Sequence, residues 1–137
     1  MGKKQVSAEA EAEYAADVAL AGKFDDLLAE ARVAEQAFRT AQAAAMPADQ
    51  LYPLARTLDT ALTDVMRAAY AAERAEIGPR GYDDRIYRRK AKAKPAVHAL
   101  TDEAERLLTL RETHRLTGMP PAPRTGLPAS GLSRARA

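Results

Sequence analysis

Apolar and small side chains recur at alternating three- and four-residue intervals along two long segments of the chain. The first segment carries them at Leu20, Phe24, Leu27, Ala31, Ala34, Phe38, Ala41 and Ala45, and the second carries them at Leu51, Leu54, Leu58, Ala61, Val65, Ala68, Ala72 and Ala75. This spacing places the side chains along one face of an α-helix. At 1.5 Å per residue each helix would be roughly 40 Å long, so the pattern predicts two helices that match in length.

The two predicted helices are separated by a turn that contains Pro47, and Gly78 followed by Pro79 marks the end of the second one. Proline suits the first turn of a helix, whereas glycine followed by proline cannot continue one. Because a short connection favours antiparallel neighbours, residues 20–77 are predicted to form an antiparallel helical hairpin.

Folding the chain back at this turn sets large side chains against small ones, as where Phe24 faces Ala72 or Ala31 faces Val65. Such pairs permit a close approach of the two helices. Phe38 opposite Leu58 places two large side chains together and is expected to spread the helices locally. The predicted hairpin interface comprises Phe24, Leu27, Phe38, Leu54, Leu58, Leu62 and Val65.

A shorter helical segment precedes the hairpin. Ser7 is a suitable N-cap, and Tyr14, Val18 and Ala21 form an apolar row that is out of phase with the hairpin seam. Gly22 lies where the phase changes and predicts a kink or a break, because glycine costs up to about 1 kcal/mol relative to alanine inside a helix. We expect this leading segment to contact another chain.

Two further helices are predicted after the hairpin. Within residues 78–95 a short basic helix would be capped by Asp83, with Tyr82 and Tyr87 packed together as a hydrophobic staple, and would end at Lys94 before Pro95. Residues 96–117 form a third helix, which is expected to cover the hairpin. Its apolar face carries Val97, Leu100, Ala104, Leu107 and Leu108, and an ion pair is expected between Asp102 and Arg106.

The last 20 residues, 118–137, contain seven Pro or Gly residues. This composition is typical of an extended tail that has no core of its own. Its charged residues are expected to contact a neighbouring molecule, and they are Arg124, Arg134 and Arg136. The sequence thus predicts an all-α protein in four parts: residues 1–77, with the hairpin, the basic connector 78–95, the C-terminal helix 96–117 and the tail 118–137.

Alanine dominates the composition, and the chain has no cysteine. A core built largely from alanine buries little apolar surface per residue, which favours assembly with another chain. The lack of cysteine excludes disulfides and thiolate chemistry and is compatible with the cytoplasm. No apolar run approaches the roughly 18 residues of a membrane span, so we expect no membrane association. The chain has no Asn or Trp and far more Arg than Lys, which is typical of a GC-rich bacterial or phage genome.

The charge is unevenly distributed. Residues 1–77 carry 13 acidic and 8 basic side chains, whereas residues 78–95 carry 2 acidic and 7 basic ones. The basic segment could contact phosphates, and its two tyrosines could stack on bases. Alternatively, its net charge of +5 neutralises the acidic hairpin or meets an acidic protein. The candidate contact residues are Arg80, Tyr82, Arg85, Tyr87, Arg88, Arg89, Lys90, Lys92 and Lys94.

No pattern in the sequence indicates catalysis. His98 and His114 are sixteen residues apart, too far to share a metal ion, and both are expected on the surface. The adjacent acids Asp25 and Asp26 point to different sides of a helix and form no acid–base dyad. We therefore predict no catalytic residue, no metal, no cofactor and no small-molecule substrate.

The sequence is compatible with two functions. The first is a non-enzymatic structural subunit of a larger bacterial or phage complex, which binds a protein partner or itself and resides in the cytoplasm or in a virion. The alternative is a nucleic-acid-binding accessory protein in which residues 80–94 make the contact and the hairpin forms a dimer.

Overall fold

The computed structural model describes residues 5–122, which contain helices and no β-strand. This confirms the predicted all-α class. No helix in this range is long and apolar enough to cross a membrane. The predicted tail contacts Arg124, Arg134 and Arg136 lie outside the described residues. In chain order the helices are α1 (Ala8–Ala21), α2 (Phe24–Ala43), α3 (Ala48–Ile77), α4 (Arg80–Asp83), α5 (Arg85–Ala91) and α6 (Pro95–Thr113), followed by a π-helical turn (His114–Gly118).

The central element is α3, against which α1, α2 and α6 all pack. One apolar cluster joins Ala31 of α2 to Val65 and Ala69 of α3, and a second joins Phe38 to Ala55 and Leu58. Moving forward along α2 therefore means moving back along α3, so the two helices are antiparallel. The seven residues proposed for the hairpin interface all lie in these two clusters or against them.

The turn between α2 and α3 follows from its residues. Ala45 has a positive φ of 57°, which ends α2, and Pro47 is the N-cap of α3 in an extended conformation. Pro53 lies inside α3, where it has no N–H to donate to the carbonyl oxygen of Asp49. Its own carbonyl accepts a hydrogen bond from Thr57 Oγ1 at 3.0 Å.

Phe38 is completely buried at the closed end of the hairpin. It lies against the small Ala55 and meets the ring of His114 edge-on, with ring centroids 5.5 Å apart. His114 Nε2 lies 2.9 Å from the carbonyl oxygen of Ala55, and because a carbonyl oxygen only accepts, this ring nitrogen donates the hydrogen bond. The prediction that both histidines lie on the surface is therefore wrong for His114, and it holds only for the exposed His98.

The π-helical turn after α6 brings His114 into this core. Gly118 closes the turn so tightly that a Cβ added there would lie 2.6 Å from His114 Nδ1. Only glycine permits this approach without displacing the imidazole. The C-terminal helix consequently ends at Thr113, four residues before the predicted position.

The sequence predicted either a kink or a break at Gly22, and the structure shows a break that separates α1 from α2. The expectation that this leading segment contacts another chain stays a prediction. Within its own chain α1 packs on α3 and α4. Polar contacts hold it there. Asp17 accepts hydrogen bonds from Arg74 at 2.8 and 3.0 Å and from the hydroxyl of Tyr82.

The third long helix, α6, covers the hairpin as expected of it. Ala104 and Leu107 are buried in the same cluster as Val65 and Ala69 of α3. The predicted ion pair between Asp102 and Arg106 is wrong. Arg106 pairs with Glu103 at 2.7 Å, and Asp102 lies 3.3 Å from His98, because each side chain finds a nearer partner on the same helix.

Candidate interaction surfaces

The basic segment forms the corner between α3 and α6. Gly78 turns the chain with a φ of 99°, a left-handed conformation that favours glycine, and α4 and α5 follow. Asp84 is the N-cap of α5, since its Oδ1 accepts a hydrogen bond from the N–H of Tyr87 at 2.9 Å. That bond is the main cause of the lowered pKa of the Asp84 carboxyl.

The predicted cap at Asp83 is thus wrong by one residue. The Asp83 carboxylate instead accepts hydrogen bonds from the backbone N–H and the hydroxyl of Ser7, at 2.8 and 2.9 Å, beyond the start of α1. With Asp84 as the cap, Tyr82 and Tyr87 no longer occupy the two staple positions. The partner of Asp83 lies 76 residues away along the chain, so the local sequence does not reveal it.

Both tyrosines of the basic segment are engaged within the chain. Burial raises the pKa of the Tyr82 hydroxyl, and the hydrogen bond that it donates to Asp17 raises it further. Burial alone would raise the pKa of Asp17, but hydrogen bonds from Arg74 and Tyr82 outweigh this and hold it below its usual value. Tyr87 packs against Ile77, Ala91 and Val97. Both tyrosines are half-buried in these contacts.

The inward side of α5 determines where its cations point. Tyr87 and the buried Ala91 are four residues apart and face the core, so Arg85, Ile86 and Arg89 lie on the opposite, outer side of the helix. A shallow surface on the outer side is lined by Arg85, Ile86, Arg88, Arg89 and Lys92, which we call the basic face. Beside these cations Ile86 is 69% exposed.

Some of the predicted contact residues have partners within the chain. The Arg80 guanidinium lies 4.5 Å from the centroid of the Tyr87 ring and 3.4 Å from Asp84. Arg88 Nη1 donates a hydrogen bond to the carbonyl oxygen of Gly81 at 2.6 Å, and Lys92 Nζ is 3.9 Å from the buried Glu73. The other four cations are exposed and make no ion pair with any residue between 5 and 122. These cations are Arg85, Arg89, Lys90 and Lys94.

These pairings bear on the idea that the basic segment neutralises the acidic hairpin. In the described residues, Lys92 with Glu73 is the one ion pair that links the basic segment to the hairpin. Arg80 is paired with an acid of its own segment instead. Most of the positive charge is therefore not in contact with hairpin carboxylates.

A second open surface lies on α2, on the side that faces away from α6. It is lined by Ala29, Val33 and Ala37, which we call the α2 strip, together with Glu30, Ala34 and Thr57. The members of the strip are four residues apart, so they lie in one row along the helix. Val33 is 71% exposed. Sequence analysis missed this row, although its four-residue spacing is visible beside the hairpin seam.

The described residues contain no cluster of three or more His, Cys, Asp or Glu side chains that could hold a metal ion. His114 Nε2 is hydrogen-bonded to the carbonyl oxygen of Ala55, and His98 lies beside Asp102 on the surface of α6. Comparison with protein-family models, with curated proteins and with solved structures finds no match for this chain. Function must therefore be argued from the basic face and the α2 strip.

Proposed function

We propose that this chain is a non-enzymatic helical subunit of a larger bacterial or phage assembly and that it acts through protein–protein contacts in the cytoplasm or in a virion. The main support is the α2 strip. Its three side chains form a row of apolar surface on α2. The Val33 side chain in the middle of this row is 71% exposed. An exposed apolar patch rimmed by polar residues can mark a protein–protein contact.

Site-specific photocrosslinking in cells that produce the protein tests this proposal. A photoreactive residue at position 33 is expected to yield an adduct of discrete mass, because a bound partner would lie within reach of that side chain. The matched control is position 109, since Thr109 is exposed on α6 outside both surfaces. Equal adducts from both positions, or none from position 33, would contradict the proposal.

A second candidate function is nucleic-acid binding through the basic segment. The specific observation in its favour is the set of four exposed cations that make no ion pair within residues 5–122. With Tyr82 and Tyr87 engaged inside the chain, this candidate relies on phosphate contacts alone, which carry no sequence preference.

Binding to duplex DNA across a salt series tests the second candidate. The variant with Arg85, Arg89, Lys90 and Lys94 changed to Gln is expected to show a shallower salt dependence, because the slope falls by about 0.9 for each phosphate contact that is lost. The control changes Lys23, Arg32, Arg56 and Arg67 to Gln, which removes the same charge from exposed positions elsewhere. A wild-type protein that fails to bind at low salt excludes this function.

A further inference from the structure

We propose that the basic face of one molecule binds the α2 strip of a second copy of the same chain. This inference rests on the proposed function and supplies its partner. Each surface would then be the binding partner of the other. The basic face offers cations and Ile86, and the α2 strip offers Val33 beside carboxylates.

The two surfaces carry charges of opposite sign at the same spacing. Arg85 and Arg89 are four residues apart on α5, and Asp26 and Glu30 are four residues apart on α2, where Glu30 borders the strip. Both pairs are therefore separated by about 6 Å along a helix axis. All four side chains are exposed, and none of them forms an ion pair within residues 5–122. Two guanidinium groups can thus meet two carboxylates without breaking an internal contact.

The apolar parts of the two surfaces also correspond. Ile86 is exposed among the cations of α5, and Val33 is exposed one helical turn from Glu30. Contact between them would remove both side chains from water. A phosphate backbone offers Ile86 little apolar surface, so an exposed apolar residue beside Arg85 and Arg89 favours a protein over a nucleic acid.

The contact must form between molecules. In the described chain α5 packs with α4 and with the corner formed by Ile77 and Val97, and it does not pack on α2. Each copy would offer one basic face and one α2 strip, so two copies can make the contact reciprocally in a two-fold dimer, or successive copies can make it head to tail in a ring or an open chain.

Sedimentation velocity of the purified full-length protein tests the proposal. The wild type is expected to form species larger than one chain as its concentration rises, and added salt should weaken them. The variants R85E/R89E and D26R/E30R are each expected to associate at least about tenfold more weakly, because like charges would then face each other. An equal mixture of the two is expected to regain assembly, since each variant retains the surface that the other has lost.

A matched control is R67E/R106E, which reverses two exposed cations on α3 and α6 outside both surfaces and should assemble as the wild type does. Circular dichroism checks that each variant folds, and glutamate at position 85 suits the first turn of α5. If R85E/R89E fails to fold, I86S tests the apolar part of the same contact. A wild type that stays monomeric at every concentration, or a mixture that regains nothing, overturns the proposal.

These outcomes also separate the inference from the function on which it rests. A monomeric wild type that still crosslinks from position 33 to a different protein would overturn self-association and leave the proposed function in place. A monomeric wild type that binds DNA through Arg85 and Arg89 would favour the nucleic-acid alternative instead.

Discussion

Replacing Phe38 with alanine is expected to lower the free energy of unfolding by about 3–5 kcal/mol. The Phe38 side chain is completely buried, and it lies between Ala55, Leu58 and the ring of His114. Its removal leaves a cavity at the closed end of the hairpin that alanine-sized neighbours cannot fill. Because whole domains are stable by only about 5–15 kcal/mol, this loss should be among the largest that one substitution produces here.

Urea denaturation followed by circular dichroism measures this effect. The control F38L keeps most of the side-chain volume and should cost less than about 1.5 kcal/mol if the neighbours repack. A loss below about 1 kcal/mol in F38A would mean that the side chain is not enclosed as the structure shows it. The same measurement on V33A, an exposed position, should stay within about 0.5 kcal/mol of the wild type.

The sequence was sufficient to predict the all-α class, because class depends on a repeated signal. The alternation of three and four is present in both long segments, and ten of the fourteen residues it selects in α2 and α3 lie in or against the two clusters that join these helices. Single-residue features were harder. Asp84 caps α5, whereas the neighbouring Asp83 bonds to Ser7, which lies 76 residues away along the chain.

The buried histidine shows a second limit of sequence analysis. A histidine near the end of a helix is usually exposed, and nothing next to His114 indicates otherwise. Its burial depends on a π-helical turn, on Gly118 and on a carbonyl oxygen of α3. Such a contact between distant segments cannot be obtained from local periodicity.

For the basic segment, the sequence predicted which residues carry charge but not which of them are free to contact a partner. The sequence singled out seven cations between residues 80 and 94, and the structure divides them by their partners. Arg80, Arg88 and Lys92 have contacts within the chain, whereas the other four face solvent. This division depends on Tyr87, Gly81 and Glu73, whose positions relative to the cations follow from the packing of α3 and α5.

The second large effect is expected at α6, where L107A should lower the free energy of unfolding by about 2–5 kcal/mol. Leu107 is 1% exposed and lies in the cluster that joins α6 to Val65 and Ala69. The control L110A changes the same residue type three positions later on the same helix, where the side chain is 44% exposed, and it should cost much less.

Together with F38A, this substitution tests whether α6 is part of one cooperative unit. Leu107 and Phe38 belong to different clusters, so their effects should add in the double variant to within about 0.5 kcal/mol if both remain in one two-state transition. If α6 instead detaches by itself, L107A would expose the amides of α6 to hydrogen exchange and leave those of α2 protected. We expect uniform protection, because α2 and α6 share the buried face of α3 through Val65 and Ala69, and loss of either helix would expose it.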